Sequence, residues 1–313
     1  MGLETALAAL VASASCVLAQ PGCQTQTRYN PIAEQHPDSI TGVMNGTFAL
    51  AFIPRDTADT LLPEGFEFLG EIYQDNVELW QQDAFPVLVK AVRIHDIRAP
   101  DDVWRNDHTL ISFELPFVDA LHDGKSPFRY PYTQFISTGI PSYANDVAEA
   151  YGVPHIIRSV YDPECDAYQW IDPEASGDYP AGSVKLRGIP ADGSRRNVEV
   201  VSARQLTFEA RPFTTEQLKN IVGQSRFGVG SDGVVCGGTV VYWGEDIGFG
   251  EVVATKGEVT LSGNFEELDV LWEGDARWDR VYGIRAGTAF IEDDFTDCAV
   301  LSVVSDDDRS EEP

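Results

Sequence analysis

Alternation of apolar and polar residues with a period of two runs through most of this 313-residue chain, and it restricts the fold more than any motif does. Val, Ile, Thr, Phe and Tyr carry the runs and Gly, Pro, Asn and Asp bound them, which is the pattern of strands with one wet face. Strands are predicted at 47–54, 66–73, 85–97, 110–117, 130–137, 183–188, 198–210, 238–243, 251–254, 258–262, 268–272, 281–291 and 298–304. Helices are few and short. One is predicted at 143–151, with Ser142 as its cap and Gly152 and Pro154 as its stop. Another lies at 215–222 behind Thr214 or Thr215, and one or two turns fit 56–62 before Pro63. The polar stretches 172–182 and 190–196 read as surface excursions, because strands resume at once on either side. The expected architecture is a mainly β (α+β) single domain of large antiparallel sheets with few short helices.

One of these strands holds an unusual residue. The chain has only five lysines, and Lys90 sits within FPVLVKAVRIHDI on the same strand face as Leu88, Val92 and Ile94. Burial disfavours the ammonium and lowers its pKa, which turns an amine into a nucleophile near neutral pH. The structural alternative is an edge-strand lysine whose ammonium snorkels back to water. Arg93 and His95 fall on the opposite face unless a bulge intervenes.

Charge and the N-terminus restrict partners and compartment. The formal net charge is −28 and the pI is near 4.3, so nucleic acid and anionic membranes are excluded as natural partners. Residues 305–313 are acidic with almost nothing to bury, and a disordered tail is expected there. Residues 1–19 read as a signal peptide: an apolar run ends in Val17-Leu18-Ala19, although Glu4 stands where a basic residue is usual. No later segment is long and apolar enough to anchor in a bilayer. The mature protein is expected to be secreted or to reside in the lumen of the secretory pathway. Cleavage removes Cys16 and leaves Cys23, Cys165, Cys236 and Cys298, enough for two disulfides in any of three pairings. Their spacing does not suit zinc, no metal site is indicated, and no cofactor is expected. Asn45-Gly46-Thr47 is a glycosylation sequon.

Other motifs carry less. Residues 228–233 match G-x-G-x-x-G, but a strand rather than a helix follows, so a turn cluster is expected instead of a dinucleotide site. No G-x-S-x-G elbow, H-E-x-x-H or P-loop lysine is present. Unusual chemistry concentrates between Phe113 and His155, which includes Glu114, Arg129, Tyr130, Tyr132, Asp146 and Glu149. Glu114 and Arg129, on successive strands, fit a cross-strand ion pair or one wall of a polar pocket.

Four segments in order, spanning about 47 to 295, resemble the acetoacetate decarboxylase superfamily. They are FALAFIPRDTADTLLPEGFEF, VLVKAVRIHD with its His95-Asp96 end, ANDVAEAYGVPHI, and GIRAGTAFIEDDF. The resemblance implies a cone- or barrel-like β domain over residues 20–304 and a small-molecule substrate. It also implies a lysine that forms a Schiff base with a β-keto acid, the iminium serving as electron sink when carbon dioxide leaves. In the family two lysines directly follow the glycine-x-proline segment. Here His155 and Ile156 stand in those places, and neither can form the imine. Lys90, five residues before His95-Asp96, falls where the family's long strand usually carries a site-lining acid, so the resemblance implies an amine moved across the pocket. Glu114 and Glu149 resemble retained family acids, and Arg55 matches a family arginine across a small gap.

Three readings follow. The first is an exported lyase-type enzyme acting on a small or polyketide-derived keto compound. Lys90 would be its nucleophile, Glu149 and His155 (with Glu114) would handle protons, and Arg55, Glu114, Arg129 and Tyr132 would hold the substrate. The second is a non-catalytic β-cavity protein that binds an apolar small molecule. The third is a disulfide-stapled interaction protein without a ligand. Burial of Lys90 and the polarity of any cavity discriminate among them.

Overall fold

The computed structural model describes residues 29–70, 84–100, 103–138, 143–176, 179–205, 212–230, 233–243, 251–263, 276–292 and 296–303. The signal segment 1–19, Cys23, the cap residue Ser142, the strand predicted at 268–272 and the acidic tail 305–313 lie outside the described residues.

Among the described residues the alternating segments form thirteen strands that all join one sheet. In chain order these are β1 (Ile40–Pro54), β2 (Ala84–Arg98), β3 (His108–Asp119), β4 (Pro127–Ser137), β5 (His155–Asp162), β6 (Gln169–Trp170) and β7 (Val184–Pro190). There follow β8 (Asn197–Arg204), β9 (Ser225–Gly230), β10 (Gly233–Gly237), β11 (Thr239–Tyr242), β12 (Val253–Ser262) and β13 (Ala276–Glu292). Helices are short: α1 (Arg55–Leu61), α2 (Tyr143–Ala150), α3 (Pro173–Ser176), α4 (Thr215–Val222) and α5 (Cys298–Val303). The fold is mainly β with few short helices, as the periodicity predicts. None of the described helices is long and apolar enough to cross a membrane.

Nine strands close a ring in the order β4-β3-β2-β1-β13-β12-β8-β7-β5, and β5 returns to β4. Pairing is antiparallel except for β4–β5 and β4–β9, so the sheet is mixed where purely antiparallel sheets were expected. The cause is α2, which carries the chain back over the sheet so that β5 starts in the direction of β4. Along the edge of β4 away from β3, Thr133–Ser137 pair with β5. Phe128 and Arg129 of the same strand pair with β9.

The ring interior is filled. Thr47 of β1 and Ser202 of β8, on strands that are not neighbours, hydrogen-bond at 3.1 Å across it. Ala91 and Ile111 lie in register with Thr47 and share that inner face. Lys90 is one residue out of phase, so it faces the other way, towards α2, β9 and β11. Both faces of β1 to β4 are covered, and their burial runs are almost unbroken. Doubly covered strands read as continuous apolar runs, and a charged side chain within them has no short route to water.

Two local devices seat the helices. Thr214 and Gln217 form a capping box at the start of α4, which satisfies backbone donors that the first turn leaves unpaired. Beyond α2, Gly152 takes φ +65°, and a Cβ there would lie 2.3 Å from the carbonyl oxygen of Val229. Glycine alone permits this approach, which brings Tyr151 against β9.

Three expectations are revised. Segment 298–304 was expected to be a strand, yet Cys298–Val303 is helical. Asp297 Oδ1 accepts from the Ala299 N–H at 3.0 Å and starts the turn, and local capping of this kind outcompetes strand pairing for so short a segment. In the described part of 66–73 only an isolated bridge, Phe68 with Val118, is present. Residues His155–Asp162 form β5, which the alternation did not single out. Of the glycine cluster at 228–233, residues 228–230 end β9 and Gly233 opens its antiparallel partner β10, with Gly230 opposite Gly233, and no helix opens there as a dinucleotide site would need.

Candidate active site

A cavity of about 80 Å³ lies between the outward face of β2–β4 and α2. That is several times the ~10–15 Å³ one buried water needs on the same measure. At one side of it three adjacent strands each contribute one charged residue.

Lys90 on β2 is 6% exposed, Glu114 on β3 0% and Arg129 on β4 1%. Lys90 Nζ lies 2.5 Å from Glu114 Oε1, and the Arg129 guanidinium contacts Glu114 Oε2. Ser112, in register with Lys90, donates to Glu114 Oε1 at 2.9 Å. A shift of register between Phe113 and Glu114 places Glu114 opposite Pro131 and leaves Tyr132 as the extra residue of a bulge. Bulges re-aim side chains, and proline is tolerated at them because it has no N–H to lose.

The next strand continues the row. Arg226 on β9 is in register with Arg129, forms an ion pair with Glu292 at the end of β13, and lies 4.8 Å over the Tyr151 ring. Gln224 fastens the cluster to the backbone. Its carbonyl accepts from Arg129 Nε at 2.9 Å, and its side chain accepts from the N–H of Phe117 at 3.1 Å. Phe117 sits at φ +60°, a sparsely populated conformation that surrounding contacts must hold.

Three cations thus face two carboxylates in a buried space. Burial pulls the Lys90 ammonium down to about 8, and Arg129 and Arg226 add to this against the pull of Glu114. Burial alone would raise the carboxyl of Glu114, but Lys90 and Arg129 outweigh it and hold the group at about 2. Burial outweighs the hydrogen bond to the Asn106 carbonyl and holds His108, also in the lining, at about 4, so its imidazole is neutral at pH 7. Burial pushes the Tyr151 phenol up to about 12. At pH 7 roughly a tenth of Lys90 is free amine, roughly three-hundredfold more than for an ordinary lysine. An amine that is nucleophilic at neutral pH now has a cavity in front of it.

No protein-family model matches the chain, and no curated protein matches it. Solved structures do. The enduracididine biosynthesis enzyme MppR, complexed with the condensation product of pyruvate and imidazole 4-carboxaldehyde, aligns with 82% of this chain and 88% of its own. Identity is 9% and the TM-score 0.49. An acetoacetate decarboxylase-like enzyme from Sphingomonas wittichii RW1 aligns with 83% of this chain and 92% of its own, at 10% identity and a TM-score of 0.44. At such values the chemistry of the cavity stands on its own residues.

Of the residues singled out from sequence, Lys90 and Arg129 line this cavity, and Glu114 pairs with both from the buried side. Others lie elsewhere. Glu149 is on the exposed face of α2, where Ala148 and Tyr151 line the cavity instead. His155 opens β5 with its ring 4.8 Å from that of Tyr132, and neither lines the cavity. Arg55 opens α1, where it meets Asp59 at 3.0 Å and the faces of Phe68 and Phe85. Arg93 binds Asp107 at 2.7 Å, and His95 Nδ1 lies 2.9 Å from Asp96. Cys236 and Cys298 form a disulfide, and Cys165 is disulfide-bonded too. Asn45 is half-buried in mid-β1, between Arg93 and Gly287 on its two neighbouring strands.

Sequence reasoning passed over Arg226, Glu292, His108, Tyr151 and Gln224. Arg226 and Glu292 gave the same signal as Lys90, a charge inside or ending an apolar strand, but each sits in a segment of few residues. The other three acquire meaning only when α2 and α4 are packed against the sheet.

Proposed function

We propose that the protein is an exported lyase-type enzyme that decarboxylates a β-keto acid through an imine on Lys90. The observation that carries this reading is the charge imbalance around a buried amine. With Lys90 neutral, Arg129 and Arg226 are matched by Glu114 and Glu292. With Lys90 charged, one positive charge is in excess. The environment that disfavours the ammonium also disfavours an iminium at the same atom.

The chemistry follows from that preference. The free amine adds to the keto carbon, and loss of water leaves a protonated imine beside Glu114. Cleavage of the bond to the carboxylate carbon releases carbon dioxide and moves its electron pair into the imine. The product is a neutral enamine: the positive charge at Nζ and the negative charge of the substrate carboxylate disappear together, and the cluster stays balanced. Stabilising the less charged state relative to the iminium lowers the barrier to this step. A proton then goes to the enamine carbon, and water hydrolyses the resulting imine to release a ketone and restore Lys90.

Proton transfers fall to groups that line the cavity. Glu114, held at about 2, stays an anion and is too weak a base to accept protons near neutrality, so its role is electrostatic. The Tyr151 phenol and the neutral His108 imidazole are the proton carriers within reach of the cavity. Arg129 and Arg226 draw in the carboxylate of the substrate. The disulfides support an oxidising compartment, in line with the signal sequence.

The aliphatic part of the lining favours a second reading, a protein that binds an apolar small molecule without turnover. Borohydride reduction in the presence of β-keto acids, followed by peptide mass spectrometry, separates the two. A reduced adduct on Lys90, with loss of carbon dioxide release in Lys90→Ala, is the expected result. Absence of adduct on every lysine would sink the imine mechanism and leave the binding reading.

A further inference from the structure

Beyond the charged row, the cavity changes character. Lys90, Ile94 and Ile97 all line it from one strand. Ile97 lies seven residues beyond Lys90, about 23 Å along the strand, so the lining reaches well past the charged row. Both parities of β2 contribute because the pairing with β1 shifts register between Thr41 and Val43. Met44 stands opposite Ile94 across β1, Leu110 opposite Ile136 across β3 and β4, and Phe290 of β13 closes the side.

The roof is equally apolar. Ala144, Val147 and Ala148 of α2 line the cavity. The i, i+3, i+4 spacing puts them on one helix face. The polar side chains of Gln134 and Thr239 also line the cavity, and two ionisable groups reach this wall. Glu292 is neutralised by Arg226, and His108 is uncharged near neutral pH because burial disfavours its imidazolium. A substrate no larger than acetoacetate would fill only the Lys90 side and leave the aliphatic wall against water.

We propose that the substrate is a β-keto acid with an unbranched aliphatic tail, its carboxylate and keto group at Lys90 and Arg129 and its tail along Ile94, Met44 and Ile136. This rests on the keto-acid reading above for the head group, whereas recognition of the tail needs only the aliphatic wall. Each buried methylene is expected to tighten binding about fourfold.

The test therefore uses probes that cannot form an imine. Wild-type protein is titrated calorimetrically with butyrate, hexanoate and octanoate. The expected result is an affinity that rises about fourfold per methylene until the channel is full. Val147→Phe on the roof should flatten that series while circular dichroism stays that of wild type. If the variant does not fold, the wild-type series decides alone. Affinity that is indifferent to chain length, or falls with it, overturns the proposal whatever borohydride trapping shows. Rising affinity without a Lys90 adduct would keep the tail site and remove the imine chemistry. Turnover of acetoacetate against its butyl- and hexyl-tailed homologues then reads the same preference in kcat/KM.

Discussion

Lys90 is held among two guanidiniums and Glu114, and burial, ahead of the neighbouring charges, lowers its hold on the proton. Neither arginine can release its proton near neutral pH, and Glu114 stays ionised down to about 2, so Lys90 is the group that gives up the surplus positive charge, at about 8. This has a consequence for stability. The folded state loses the Lys90 proton at about 8, the unfolded chain near the ordinary lysine value of ~10.4. Between these limits the unfolded chain binds more protons, so stability rises with pH. Urea unfolding of wild type and Lys90→Met at pH 7 and pH 10 should show the difference moving in favour of wild type, by on the order of 3 kcal/mol. An unchanged difference would mean an ordinary lysine. For Glu114 the sign is opposite: its contribution is present above the ordinary carboxylate range and is lost as pH falls towards 2. The lysine was legible in the sequence because its neighbours at i±2 are large aliphatics. The Glu114–Arg129 ion pair was one of two readings open in the sequence; that Lys90 joins it and lines a cavity with Arg129 was not legible, since it takes three strands in register to show it.

At the scale of elements, the site depends on how β9, β10 and the C-terminal helix are fastened. Cys236 of β10 and Cys298 of α5 are bonded, and the backbones of Cys236 and Thr296 exchange hydrogen bonds beside them. A Cβ on Gly237 would lie 1.5 Å from the Tyr151 hydroxyl, so this strand also walls in the residue that stacks on Arg226. Closing a loop of 62 residues restricts the unfolded chain, and its loss typically costs about 2–5 kcal/mol. The double variant Cys236→Ser, Cys298→Ser should unfold at lower urea by that margin. Loss of stability without loss of Lys90 reactivity towards borohydride trapping would show that the staple supports the fold but not the site. Alternation located most strands within a few residues. It failed at α5, where an aspartate cap and a disulfide override a strand-like composition. It also passed over β5, whose pairing with β4 depends on a helical crossover.

At the scale of the whole molecule, a net charge of −28 surrounds a site built to receive an anion. The general field repels a carboxylate while the local cluster attracts it, and salt screens the first more than the second because the cluster is buried. For an anionic substrate, kcat/KM should therefore rise several-fold between low ionic strength and ~0.5 M salt. A fall would mean that exposed cations, rather than the buried row, capture the substrate. The chain by itself determined the strand content, the scarcity of helices, the acidic surface and the presence of one amine among aliphatics, because period and burial preference are local properties. Only the tertiary structure decided which face of β2 looks into a filled ring and which into a cavity. It also decided that residues as distant as Lys90 and Glu292 share one charge balance. A one-residue change of register exchanges those faces, and register is set by pairing between strands far apart in sequence.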